Sequence, residues 1–180
     1  HGGPGQHPTS ESADFKLTQG HIRWFSGANV EYRITGMQPV GVEGVDTAIE
    51  NAEDTWEGFI TIRTFSIKVD TTQTNPCTGN PNTVQWVSID GSGGAIASAA
   101  VCRNVATKEI VGFVITMDKD ELWSTSISGE QGKFDVENVA SHEFGHVAGL
   151  GHDNPPRSGC LTMYKFASPG EIQKRTLGLG

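Results

Sequence analysis

The chain has 180 residues, enough for one domain and too few for two full cores. Thirteen Lys and Arg against 21 Asp and Glu leave a formal charge of −8, which argues against nucleic acid or an anionic membrane as the main partner. Hydrophobic residues make up 36%, enough to bury a core, and no apolar run approaches the roughly 20 residues of a membrane span.

The chain opens His1-Gly2-Gly3-Pro4-Gly5, without Met or a signal-peptide pattern. Either processing has removed a leader or the sequence starts late. The polar, Gly/Pro-rich start predicts a flexible arm over residues 1–20, with one domain over 21–180. Asn29–Ile34 alternates apolar and polar residues, which predicts a half-buried strand. Val45, Ala48, Ile49, Ala52, Trp56 and Phe59 are spaced by three and four, which describes one face of an amphipathic helix. Ile60–Val69, Thr83–Ile89 and Ala95–Cys102 read as further strands. Glu109–Met117 reads as a fifth, with Val111, Phe113 and Ile115 alternating. A second helix is predicted over Phe134–Gly149, with Asp135 as N-cap and Gly149 as its stop. Ser168-Pro169-Gly170-Glu171 resembles a capping box and predicts a short C-terminal helix to about Leu177. Lys174 and Arg175 within it read as solvated surface charges, and the four Trp as core or packing residues. One strand, a helix, four strands and then helices predict an α/β or α+β fold on one sheet.

The chain has three cysteines and no Cys-x-x-Cys pair, which argues against a zinc ribbon. Cys77 lies in a turn-rich stretch and Cys102 closes an apolar run. A Cys77–Cys102 disulfide would imply an oxidising compartment; two reduced thiols are the alternative. Cys160 is left over.

Three of the six histidines fall between positions 142 and 152, and none occurs between His21 and His142. The segment reads His-Glu-Phe-Gly-His-Val-Ala-Gly-Leu-Gly-His-Asp. On a helix, His142 and His146 lie one turn apart on one face, able to share a metal ion. Glu143 is next to the first of them, where its carboxylate can reach a metal-bound water as general base without being a ligand. Gly149 lets the backbone leave the helix, so His152 can return as a third ligand. Three imidazoles leave the fourth position of a catalytic zinc site open. A closed structural zinc site would leave Glu143 without a role.

This spacing, His-Glu-x-x-His-x-x-Gly-x-x-His, resembles the zinc signature of the metzincin metallopeptidases. Met163 in Leu161-Thr162-Met163-Tyr164 resembles the clan's Met-turn residue. His-Glu-Phe-Gly-His with Met-Tyr is closest to the matrixins, the matrix-metalloproteinase family. The resemblance implies a five-stranded mixed, twisted sheet, two long helices, the active-site helix and the Met-turn. Ile89–Ala99 is similar to the matrixin loop that binds calcium and runs into the substrate-binding edge strand. Met117–Trp123 is similar to the acidic segment that completes that site. The implied calcium ligands are the side chains of Asp90, Asp118 and Glu121 and the carbonyls of Gly91, Gly93 and Ala95, a set suited to Ca²⁺. Matrixin histidines that hold a structural zinc correspond here to Ser98 and Thr116, so one zinc, the catalytic one, is expected.

The resemblance further implies a secreted zinc-dependent endopeptidase, a monomer acting on a protein or peptide substrate. Peptide would add as a strand to the edge at Ile96, Ala97 and Ser98. Tyr164, Lys165 and Phe166 would wall the pocket for the residue just after the cut. Asp153 after the third His, and a Cys just before the Met-turn, are more like the adamalysins, the runner-up family. A catalytically weak zinc-binding protein of the same fold, or a hydrolase of another bond, are the remaining readings.

Overall fold

The computed structural model describes residues 16–18, 20–25, 29–57, 63–65, 82–153 and 161–177. Its elements in chain order are β1 (Lys16–Leu17), β2 (Asn29–Gly36), α1 (Val45–Glu57), β3 (Arg63–Phe65), β4 (Asn82–Val87), β5 (Ala97–Arg103) and β6 (Ile110–Asp118). Then come β7 (Trp123–Ser124), β8 (Phe134–Asp135), α2 (Val136–Val147), β9 (Leu150–Gly151) and a 3₁₀ turn at Gln173–Arg175. The main sheet has five strands in the order β3-β2-β4-β6-β5. It is mixed: β2, β3, β4 and β6 run parallel, and the edge strand β5 is antiparallel to β6.

Alternation along the strands builds the core. Val30, Tyr32 and Ile34 of β2, Val84 and Trp86 of β4, and Phe113, Ile115 and Met117 of β6 are all buried in one cluster. The helices add Val45, Ala48, Ile49, Ala52 and Trp56 of α1 and Val136, Val139, Ala140, Phe144 and Val147 of α2 to it. The rings of Tyr32 and Phe113 meet Phe144 edge-on, at 5.6 and 6.2 Å, which seats α2 on the sheet. The Trp56 indole N–H donates to the Ser141 carbonyl at 2.9 Å and ties α1 to α2.

Several expectations need correcting. Val111 does not alternate inward with Phe113: it is 60% exposed, while Ile110 is buried. The pairing passes from Cys102↔Gly112 to Arg103↔Ile110, so Val111 is an extra residue with no cross-strand partner. A one-residue slip turns every side chain beyond it to the other face. The C-terminal helix is a single 3₁₀ turn. Half of the expected capping box forms, with the Ser168 N–H donating to Glu171 Oε2 at 2.9 Å. Gly170 lies at φ +82, and the Lys174 N–H donates to Asn138 Oδ1 rather than to a helical carbonyl. Lys16 and Leu17, inside the expected arm, pair with Leu150 and Gly151, so this part is tied down. Cys102 is disulfide-bonded. Cys77, its expected partner, and Cys160 lie outside the described residues, as do Phe59 and most of the expected strand Ile60–Val69.

Candidate metal centre and active site

The site is built on α2. Asp135 caps it, with extended backbone and Oδ1 accepting from the Asn138 N–H at 2.8 Å. Arg175 fixes the cap from the C-terminal turn, donating to both Asp135 oxygens. The helix periodicity then brings the rings of His142 and His146 together edge to face, with centroids 4.8 Å apart. Gly149 ends the helix at φ +93 and lies so close to the Ile22 carbonyl that a Cβ would sit 2.5 Å from its oxygen. β9 follows, paired with β1, and delivers His152.

The three rings converge. His152 Nε2 lies 3.0 Å from His146 Nε2 and 3.2 Å from His142 Nε2. His142 Nδ1 is 2.7 Å from the Thr162 carbonyl, and His146 Nδ1 is 2.8 Å from the Leu150 carbonyl. A nitrogen facing a carbonyl must carry the hydrogen, so both of these rings turn an Nε2 lone pair inward. Burial pushes the His142 pKa down to about 3, and His146 and His152 are also lowered, chiefly by burial. Neutral imidazoles with inward lone pairs suit a cation. Tetrahedral zinc with bonds of about 2.0–2.1 Å needs nitrogens about 3.3 Å apart, so the residues present fit that ion.

Glu143 is buried, and its Oε2 has no hydrogen-bond partner. Burial raises its pKa to about 8, with Lys174 acting in the opposite direction. Met163 is buried beneath the centre, against Gly145. The Asp153 N–H donates to the Met163 carbonyl at 2.8 Å, so the turn holds both the chain after His152 and, through Thr162, the ring of His142. Asp153 is itself buried.

A cavity of about 460 Å³ opens beside His142, Glu143 and His152. Ile96 and Ala97 border it from the edge strand side, and Lys165 and Phe166 from the loop after Met163. Ser98 and Tyr164 do not line it. Ser98 faces Thr116 across β5 and β6, and the Tyr164 ring packs on Phe166 with centroids 5.7 Å apart. Lys174 does line it, although the sequence reads as placing it in solvent; it is 1% exposed. No local pattern marks Lys174, because its burial follows from the long-range bond to Asn138.

The loop at Asp90–Ala95 and the turn at Asp118–Glu121 are brought together. Their carboxylates nonetheless turn onto backbone. Asp90 accepts from the Ala95 N–H at 3.0 Å, Glu121 from Gly93 at 2.5 Å, and Asp118 from Asp90 at 3.3 Å and Asp120 at 2.9 Å. Among the described residues, one oxygen from each of the three does not gather within 4.8 Å, as the imidazole nitrogens do. These side chains form a hydrogen-bonded junction between the two segments.

Two histidines on a helix, a glycine stop, a third histidine beyond it and a methionine turn beneath are the layout of the metzincin class. A family model described as matrixin matches residues 23–176. Matrix metalloproteinase-20 of Homo sapiens is 27% identical over 158 residues, covering 87% of this chain and 31% of that protein. Interstitial collagenase of Equus caballus is 28% identical over 174 residues, covering 89% and 32%. Macrophage metalloelastase of Oryctolagus cuniculus is 28% identical over 153 residues, covering 84% and 31%. The chain belongs to the matrixin family, whose members are zinc metalloendopeptidases. It spans about a third of the length of these relatives.

Proposed function

We propose that this chain is a zinc-dependent endopeptidase in which Glu143 is the general base. The observation that carries the reading is the convergence of three imidazole nitrogens beside a buried carboxylate oxygen that has no partner. A zinc ion held by His142, His146 and His152 would supply Lewis acidity, polarising the scissile carbonyl and acidifying a water. Glu143 takes the proton from the attacking water and passes it to the leaving amine. The edge strand from Ala97 offers its free backbone side to an extended peptide, and the cavity bordered by Ile96, Ala97, Lys165 and Phe166 receives the side chain after the cut.

The remaining parts of the reading rest on separate supports. A disulfide-bonded Cys102 favours secretion into an oxidising compartment. A structural Ca²⁺ would bind where Asp90, Asp118 and Glu121 meet, with the carbonyls of Gly91, Gly93 and Ala95. Its support is the juxtaposition of two acidic segments, with Asp118 and Glu121 buried. Asp90 and Glu121 would exchange amide hydrogens for the ion. No helix among the described residues is long and apolar enough to cross a membrane. A monomer acting on protein or peptide fits the open edge strand.

The deciding experiment is Glu143→Ala. The variant should keep its zinc and its fold while peptide hydrolysis falls by about 10²–10⁴-fold. Activity within a few-fold of the parent would remove Glu143 from the mechanism.

A further inference from the structure

The cavity beside the imidazoles has mostly apolar walls, among them Val139, Phe166 and Ala167. One cation is buried in them: Lys174 is the sole Lys or Arg among the buried described residues. Its ammonium donates to the Phe166 carbonyl at 2.6 Å. The carboxylate nearest to it is Glu171, whose Oε1 stands 3.9 Å away, well beyond a charge-assisted hydrogen bond of about 2.7–2.9 Å. Glu171 Oε2 is committed to the Ser168 N–H. An ammonium has three donors, and one is used at hydrogen-bond distance. Glu121 and Glu143 also border the cavity, but neither comes within ion-pair distance of Lys174.

A buried charge is costly unless paired, and its field is strong where the surroundings are apolar. A second lysine reinforces it. Lys165 also borders the cavity, with Nζ 4.6 Å from the centroid of the Phe166 ring. Two lysines, Lys165 and Lys174, thus border the cavity together with two glutamates, Glu121 and Glu143.

We propose that Lys174 makes the cavity a recognition site for an acidic side chain, so that the enzyme prefers peptides with Glu or Asp immediately after the cleaved bond. The proposal rests on the peptidase reading above. An entering carboxylate gives the ammonium a partner at hydrogen-bond distance, closer than the Glu171 carboxylate at 3.9 Å. A neutral isostere leaves the charge buried and incompletely paired, and a hydrocarbon side chain adds nothing to satisfy it.

The test compares peptides that differ only in Glu against Gln at the position after the cut, with Glu→Gln pairs at the flanking positions as controls. The zinc-loaded chain should cleave the Glu peptide with kcat/KM at least about tenfold higher, and the flanking pairs should show no such preference. Lys174→Met should bring the ratio to about one, and Lys174→Arg, which keeps the charge, should retain it. A merely structural tether to Phe166 would lower both rates and leave the ratio unchanged. A parent ratio at or below one, or an unchanged ratio in Lys174→Met, overturns the proposal. Should Lys174→Met not fold, the parent ratio and the Lys174→Arg ratio still decide. Peptide binding to Glu143→Ala, read by fluorescence anisotropy, separates the two readings. If no peptide is cleaved but the Glu peptide binds about tenfold tighter than the Gln peptide, selectivity stands and the peptidase reading falls. Cleavage without a Glu preference does the reverse.

Discussion

Gly145 shows how a single residue in the zinc-ligand segment serves packing rather than ligation. It lies between His142 and His146 in sequence, and a Cβ there would run into Met163 Sδ and come within 2.9 Å of Trp56 Cζ2. Gly145→Ala should therefore destabilise the fold by about 1–3 kcal/mol through overpacking. It should also loosen zinc, because the turn under the helix holds the His142 ring through the Thr162 carbonyl. Urea unfolding and a zinc competition assay check this; an unchanged midpoint and affinity would show that the contact yields freely. The pairing of His142 with His146 was legible in sequence because a helix repeats every 3.6 residues, so a spacing of four is already a geometry. Lys174 was not legible, because nothing within its own segment draws it inward.

At the scale of the element, α1 carries both a clean apolar face and an acidic one. The inward residues follow from spacing alone, as the burial of Val45, Ala48, Ile49, Ala52 and Trp56 shows. The acidic face behaves less simply. Burial, and then Glu57, Asp54 and Glu50, raise the Glu53 pKa to about 7. The folded chain thus holds a proton on Glu53 between about pH 4.5 and 7 that the unfolded chain has lost. Stability should fall as pH rises through that window and remain lower above it. Glu53→Gln should raise stability at pH 8 by about 1 kcal/mol, discounted for partial exposure, and leave it nearly unchanged at pH 4. Urea midpoints at the two pH values measure this, and equal or lower stability of the variant at pH 8 contradicts it. β6 teaches the opposite lesson about periodicity. Its alternation is legible from Phe113 to Met117, but the bulge at Val111 answers to the partner strand, which local sequence does not encode.

For the whole molecule, the binding sites depend on segments far apart in the chain. The histidine cluster joins α2 to the turn at Met163. The proposed calcium junction joins the loop before β5 to the turn after β6. If that junction binds Ca²⁺, removing the ion with a Ca²⁺-selective chelator, zinc being retained, should lower the melting temperature by several degrees. An unchanged melt, with no Ca²⁺ found by metal analysis, would leave the carboxylates as a purely hydrogen-bonded junction.

The sequence by itself determined what short-range geometry can carry. That comprises the order of strands and helices, the two inward faces, the Asp135 cap, the Gly149 stop and the three histidines with Glu143 beside the first. Each follows from spacing within one or two turns, where covalent geometry fixes which side chains are neighbours. The tertiary structure decided whatever depends on which distant segments pack together. It placed Met163 under Gly145, turned the expected C-terminal helix into a single turn, and left the carboxylates of the acidic junction on backbone amides. It also drew Lys174 out of solvent into the wall of the cavity, because the backbone of that residue bonds to Asn138, 36 positions earlier.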